Sequence, residues 1–205
     1  MQSFIIHTGL VAPLDRANVD TDQMVPKQFC KFLTRSGYGH TLFYDWRYLD
    51  GEAHNPNFSL NKPAYQGSSI LLTRGNFGCG SSREHAAWAL SDYGFRAILA
   101  PSYGDIFYNN CFKNGILPVI LPERVIDTFF QRTENVPFYR LCIDLYQQRI
   151  SDDLEDEFSF TVDSFRRQCL LKGLDEIDLA LEHENRIAEY EQAQAPRAPL
   201  YSSLD

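Results

Sequence analysis

No two cysteines in this 205-residue sequence form a C-x-x-C pair; the five, Cys30, Cys79, Cys111, Cys142 and Cys169, are scattered and odd in number. That argues against a disulfide framework and against a self-contained zinc or iron–sulfur site, and it points to a reducing compartment. Long apolar runs are missing too. Nothing approaches the ~18 uninterrupted apolar residues of a membrane span, and Phe4, Ile5 and Ile6 lack the basic flank of an export signal. A cytoplasmic protein with no membrane partner is expected. Positive charge is in deficit, with 19 lysines and arginines against 27 acidic residues and a net charge of −8. Without a local basic patch, such a field repels phosphate backbones, so nucleic acid is not an expected partner. Repeats and low-complexity segments are absent. What is present, 44% hydrophobic and 22% charged residues, is ordinary for a folded chain. The length suits one domain with appendages, or two small ones.

Pro13, Pro26, Pro56 and Pro63 cut residues 1–67 into short strands and loops, with a short helix expected near Pro26–Phe32. From Gly67 the pattern alternates. Ser68–Arg74 reads as a strand, Gly75–Ser82 as a glycine loop, Arg83–Tyr93 as a helix closed by Gly94, and Arg96–Ala100 as a buried strand. Asp105–Lys113 (helix), Ile116–Leu121 (strand) and Glu123–Gln131 (helix) continue the series, which predicts an α/β layer. Phe138–Leu145 and Phe158–Val162 read as two strands joined by a charged loop, QQRISDDLEDE, making the sheet mixed. Asp163 and Asp175 stand at N-cap positions before helices at Ser164–Leu171 and Glu176–Ala193. The second of these carries Ile177, Ala180, Leu181, Ile187 and Ala188 as a stripe expected to lie on the domain. A domain over 1–194 and a loosely held tail over 195–205 follow. The aromatic-rich Leu42–Leu49 segment and the tail are the candidate contact surfaces.

The densest chemistry is Gly75-Asn76-Phe77-Gly78-Cys79-Gly80-Ser81-Ser82-Arg83-Glu84-His85, a glycine loop delivering two hydroxyls and an arginine to a helix start. Helix starts bind anions through free N–H groups and the positive dipole end. Three familiar loops do not fit. Ser81 occupies the lysine position of a Walker A loop, Arg83 the third glycine of a dinucleotide fingerprint, and Glu84 the last glycine of a nucleophile elbow. The plain alternative is a capping box, since Ser81 and Glu84 have S-x-x-E spacing. A cation in a first helical turn is disfavoured, so Arg83 calls for a counter-charge: a bound carboxylate held bidentately, or a structural acid such as Glu84. His85 reads as a hydrogen-bonded structural group. Cys79 is either a small filler or an oxidation-sensitive thiol.

Four ordered blocks resemble one family: His7–Phe29 (HTGLVAPLDRANVDTDQMVPKQF), Arg35–Leu49 (RSGYGHTLFYDWRYL), Asn76–Val119, which opens NFGCGSSREHAAWALSDYGF, and Phe165–Leu181 (FRRQCLLKGLDEIDLAL). Together they span most of the chain. They resemble the aconitase superfamily swivelling domain, most specifically the small-subunit family of the 3-isopropylmalate dehydratases. The resemblance implies a swivelling β/β/α domain with a mixed, largely parallel central sheet flanked by helices. It implies a hydro-lyase that interconverts 2- and 3-isopropylmalate in leucine biosynthesis by dehydration and rehydration, active only with a large subunit that carries a [4Fe–4S] cluster. The small chain itself would bind no metal.

Residue by residue, Ser81 matches the serine that removes the carbon-bound proton, while Ser82 and Arg83 match residues that bind a carboxylate of the small diacid substrate. Asp20-Thr21-Asp22 reads from composition as a turn; the resemblance makes Asp22 part of the catalytic machinery. Arg35, Phe32 and Leu33 fall where the family distinguishes malate derivatives, the apolar pair facing an isopropyl group. Arg35 beside Phe32 also reads as an ordinary surface pair. Small subunits of homoaconitase and of citraconate or dimethylmalate hydratases share the loop and differ around these positions. A non-catalytic anion-binding module is the reading from another class.

Overall fold

The computed structural model describes residues 1–31, 36–50, 53–80, 83–181 and 183–194. Among them are seven strands in one sheet. β1 (Ile6–Leu14) is followed by α1 (Thr21–Met24), single 3-10 turns at Lys27–Phe29 and Gly39–Thr41, α2 (Tyr44–Arg47), and further 3-10 turns at Ser59–Asn61 and Pro63–Tyr65. Then the alternation sets in: β2 (Ile70–Thr73), α3 (His85–Tyr93), β3 (Ala97–Ala100), α4 (Asp105–Lys113), β4 (Leu117–Ile120) and α5 (Glu123–Asn135). β5 (Arg140–Asp144), β6 (Arg149–Asp152), β7 (Glu157–Ser159) and α6 (Ser164–Lys172) complete this unit, which ends at Gly173.

The strand order is β4-β3-β2-β1-β5-β6-β7. β1 is the seam. Its second half pairs in parallel with β2, Val11 opposite Ile70, and its first half pairs antiparallel with β5, Ile6 opposite Asp144. The sheet is therefore mixed, with three parallel pairings on one side of β1 and three antiparallel ones on the other. β6 was expected to be charged loop. Arg149–Asp152 is polar at every position but Ile150, which hides the period of two; pairing of Ile150 with Ile143 and Phe158 makes it a strand.

The parallel strands are buried on both faces, as strands covered by helices on either side must be. Their side chains alternate between two cores. Ile70, Leu72, Ala97 and Leu99 join Ile126 and Phe129 of α5 on one face; Leu71, Ile98 and Ala100 join Ala86, Ala89 and Leu90 of α3 and Met24 of α1 on the other. The second core also takes in Leu42 and Phe43, both fully buried. The aromatic segment Leu42–Leu49 is thus largely interior rather than the contact surface its composition suggested.

A charged cluster ties α5 to β6. The Asp152 side chain has no exposed surface, and Arg132 reaches both it and Asp156. The Tyr139 hydroxyl donates to Asp152 at 2.6 Å, and the N–H groups of Leu154 and Asp156 donate at 3.0 and 3.3 Å. Burial pushes the Asp152 carboxyl up, but these donors and the Arg132 charge outweigh it and the net shift is downward.

α6 begins and ends as its sequence predicts: Asp163 accepts from the N–H groups of Phe165 and Arg166, and Gly173 closes it at φ +72°. The C-terminal unit begins at Leu174. Asp175 caps it, accepting from Ile177 and Asp178 N–H at 2.9 Å each. The single helix expected here is two, α7 (Glu176–Leu181) and α8 (Glu184–Gln194). The His183 N–H bonds back to Ala180 O at 3.0 Å, a three-residue closure that tightens the end of α7. The stripe does not lie buried: Ile177, Leu181 and Ile187 are exposed. Two of its five members are alanines, so it offers little area to bury.

Candidate active site

The parallel strands end at a set of loops, and the glycine loop after β2 is stitched between two of them. On one side Asn18 N–H donates to Gly75 O (3.0 Å), Gly78 N–H to Val19 O (2.8 Å) and Thr21 N–H to Cys79 O (3.1 Å). On the other, Phe77 N–H donates to Ser102 O (3.1 Å) and Gly104 N–H to Phe77 O (2.9 Å). Three glycines are required by this crossing. A Cβ at Gly78 (φ +75°) would lie 2.2 Å from Phe107, one at Gly80 (φ +86°) 2.0 Å from the Asp20 carboxylate, and one at Gly104 2.4 Å from Gly78 O.

Stitching the loop to residues 18–21 brings α1 against the start of α3. Asp20 is the N-cap of α1. Its carboxylate accepts from Asp22 N–H at 2.6 Å while its own N–H donates to Gln23 Oε1 at 2.9 Å, a capping box. This orients Asp22 outward from the first turn. Its Oδ1 lies 2.8 Å from Arg83 Nη2 and its Oδ2 3.4 Å from Lys27 Nζ. Arg83 Nη1 donates to Cys30 Sγ at 3.0 Å. The bond to Cys30, with the nearby Asp22 and Asp20 charges, holds the Arg83 guanidinium above its usual pKa against the opposing effect of burial.

Two expectations about this helix start are corrected. α3 begins at His85 rather than Arg83, with Glu84 at the N-cap and no side-chain cap bond. Glu84 thus occupies the cap itself, not the third helical position, and the S-x-x-E register of a capping box is not realised. Arg83 precedes the helix, and Asp22 is a structural counter-charge to it. Ser81, Ser82, Phe32, Leu33 and Arg35 lie outside the described residues. Of the predicted site residues, the fold brings Asp22 and Arg83 together. Sequence reasoning passed over Lys27 and Cys30, which lie 56 and 53 positions from Arg83 and share no periodicity with it.

His85 sits between aromatic rings, 5.3 Å from Tyr38 and 4.8 Å from Trp88 by centroid. Its Nδ1 is buried with no hydrogen-bond partner among the described residues, so ring packing, not the expected hydrogen bond, holds it. Burial first and then Arg83 keep its pKa low. Burial pushes the Cys79 thiol up, and the Asp20 carboxylate pushes it further, which disfavours the reactive thiolate. His7 on β1, bonded to Ser69 Oγ at 2.8 Å, is likewise held low by burial and then by Arg96 and Arg140.

Both histidines thus fold in the neutral form. Below an unfolded pKa of about 6.5 the unfolded chain takes up protons that the folded chain resists, so stability falls as pH drops. Thermal melts of the chain should show a constant Tm above about pH 7 and a decline between about pH 6.5 and 5. The decline should be shallower in the His7→Phe/His85→Phe variant; equal slopes would remove these residues as its source.

Comparison with known proteins follows the same lines. Residues 1–124 match the family described as aconitase C-terminal domain. The 3-isopropylmalate dehydratase small subunit of Brevibacillus brevis is 58% identical over 191 residues, covering 93% of this chain and 98% of that one. Its counterpart from Rhodopirellula baltica is 57% identical over 195 residues, covering 95% and 100%. A solved 3-isopropylmalate dehydratase from Methanocaldococcus jannaschii superposes with a TM-score of 0.66, covering 91% of this chain and 99% of that one; at 22% identity it shows the shared fold. With this much identity over nearly the full length of both chains, the chain belongs to the family of 3-isopropylmalate dehydratase small subunits.

Proposed function

We propose that the chain is the small subunit of a hydro-lyase that converts 2-isopropylmalate to 3-isopropylmalate by dehydration and rehydration in leucine biosynthesis. The supporting observation is the Asp22–Arg83 pair at 2.8 Å, assembled beside the glycine loop from two separate sequence blocks. Ser81 takes the carbon-bound proton, and Ser82 and Arg83 hold a substrate carboxylate. Arg83, 30% exposed on its side chain, presents a planar cation suited to bidentate carboxylate binding. Asp22 orients that cation. Phe32 and Leu33 wall the isopropyl group, and Arg35 reads the same end of the substrate.

Among the described residues no group of three or more His, Cys, Asp or Glu could hold a metal ion, so this chain's own donors do not fit a cluster. A [4Fe–4S] cluster belongs in this proposal to the large subunit, where it would polarise the leaving hydroxyl. Residues 1–194 act as the swivelling domain and 195–205 as a tail. No helix among the described residues is long and apolar enough to cross a membrane, and the proposed site of action is the cytoplasm.

Isomerisation of 2-isopropylmalate, assayed with and without the large subunit, tests the reading. Turnover is expected only with both chains; turnover by this chain alone overturns it. Arg83→Lys, which keeps the charge and loses the fork, should raise KM about tenfold or more with a smaller change in kcat. Faster turnover of citraconate, dimethylmalate or homoaconitate would move the substrate assignment to a related hydratase.

A further inference from the structure

We propose that Cys30 is a positioning residue for Arg83, holding the guanidinium plane so that it meets the substrate carboxylate squarely. The proposal rests on the reading of Arg83 as the carboxylate-binding residue.

Asp22 alone does not fix that plane. With one Nη on Asp22 Oδ1 at 2.8 Å, the guanidinium could still swing about that contact; the other Nη, 3.0 Å from Cys30 Sγ, removes the freedom. Cys30 is itself immobilised. Its N–H closes the 3-10 turn on Lys27 O at 3.1 Å, the preceding Phe29 N–H bonds to Pro26 O at 3.0 Å, and both side chains pack on the second core. The same short turn carries Lys27, which pairs with Asp22. Residues 20–30 therefore supply both points that hold Arg83, from one stretch of backbone braced by a capping box at one end and a 3-10 turn at the other.

The choice of sulfur has a chemical consequence. A thiol sulfur is a weak, uncharged acceptor. It orients an N–H without cancelling the positive charge, whereas a second carboxylate beside Asp22 would neutralise Arg83 and compete with the substrate for its N–H groups. A neutral acceptor of similar size should do the same work, and an acidic one should not.

The test uses the enzyme reconstituted with its large subunit and steady-state kinetics on 2-isopropylmalate. Cys30→Ala is expected to raise KM about fivefold while kcat stays within about twofold, the loss of one hydrogen bond to a charged group. Cys30→Ser, which restores an acceptor, should return KM to within about twofold of wild type, and Cys30→Asp should raise it beyond the alanine variant. An unchanged KM in Cys30→Ala overturns the proposal, as does a serine variant no better than alanine. If the alanine variant does not fold, a KM for Cys30→Asp no higher than that of Cys30→Ser overturns it. Arg83→Lys separates the two readings: an unchanged KM there removes Arg83 as the carboxylate residue, whereas a raised KM there with an unchanged one in Cys30→Ala removes only the role of Cys30.

Discussion

Replacement of Ser81 by alanine in the two-chain enzyme is expected to lower kcat by about 10²- to 10⁴-fold, the span that a positioned base contributes, with complex formation unaltered. A serine hydroxyl is a very poor base. It can take a carbon-bound proton only where its alkoxide is stabilised by donors aimed at it, which is the arrangement that helps any developing oxyanion. Both flanks of position 81 suit that task. Gly80 lies against the Asp20 carboxylate and is held there by the Thr21–Cys79 bond at 3.1 Å, while Arg83 is held by Asp22 and the nine-residue helix α3 starts at His85. The helix dipole and the guanidinium both favour negative charge at this end. Steady-state kcat read beside the sedimentation of the complex checks the outcome; wild-type turnover in the variant would remove Ser81 as the base.

The largest expected effect on stability lies far from that loop. Asp152→Ala should cost about 3 kcal/mol, because it strips a buried carboxylate from Arg132 and from the Tyr139 hydroxyl and leaves both polar groups undersatisfied. Arg132 is 16% exposed and keeps Asp156, which is half exposed, so the figure belongs at the low end for breaking a buried pair. Against a total stability of about 5–15 kcal/mol this is a large fraction, and it corresponds to a Tm lower by about 6–12 °C in a chain of this size. Thermal or urea unfolding of the full chain measures it. A loss below about 1 kcal/mol would mean the cluster adds little beyond a surface pair.

What was legible in the sequence was whatever depends on near neighbours along the chain. Asp163 and Gly173 mark the ends of α6 because caps are local, and the residues of α4 were read without error. β6 was hidden because its only apolar residue is Ile150, and a single residue has no period; pairing with β5 and β7 decides it. The start of α3 was misplaced by two residues because S-x-x-E spacing predicts a cap that the pull of Asp22 on Arg83 and the stitching of the glycine loop override. Within the site, the glycine loop and Arg83 stood out by composition. Cys30 and Lys27 did not, since their link to Arg83 exists only once Val19 and Thr21 have bonded to the glycine loop. Phe32, Leu33 and Arg35 still rest on resemblance alone.

The seam strand β1 imposes an order on synthesis. One of its edges is filled when Ile70–Thr73 leave the ribosome, but the other waits for Arg140–Asp144, more than a hundred residues after β1. A nascent chain that has reached residue 124 already holds Asp22, Cys30, the glycine loop and Arg83, yet its central strand still presents an open edge along Ile6–Leu10. Such distant pairing is slow to form and leaves a strand edge exposed to other chains meanwhile. The site's parts are thus made first and made rigid last, and pairing with the large subunit must follow translation of β5 at the earliest.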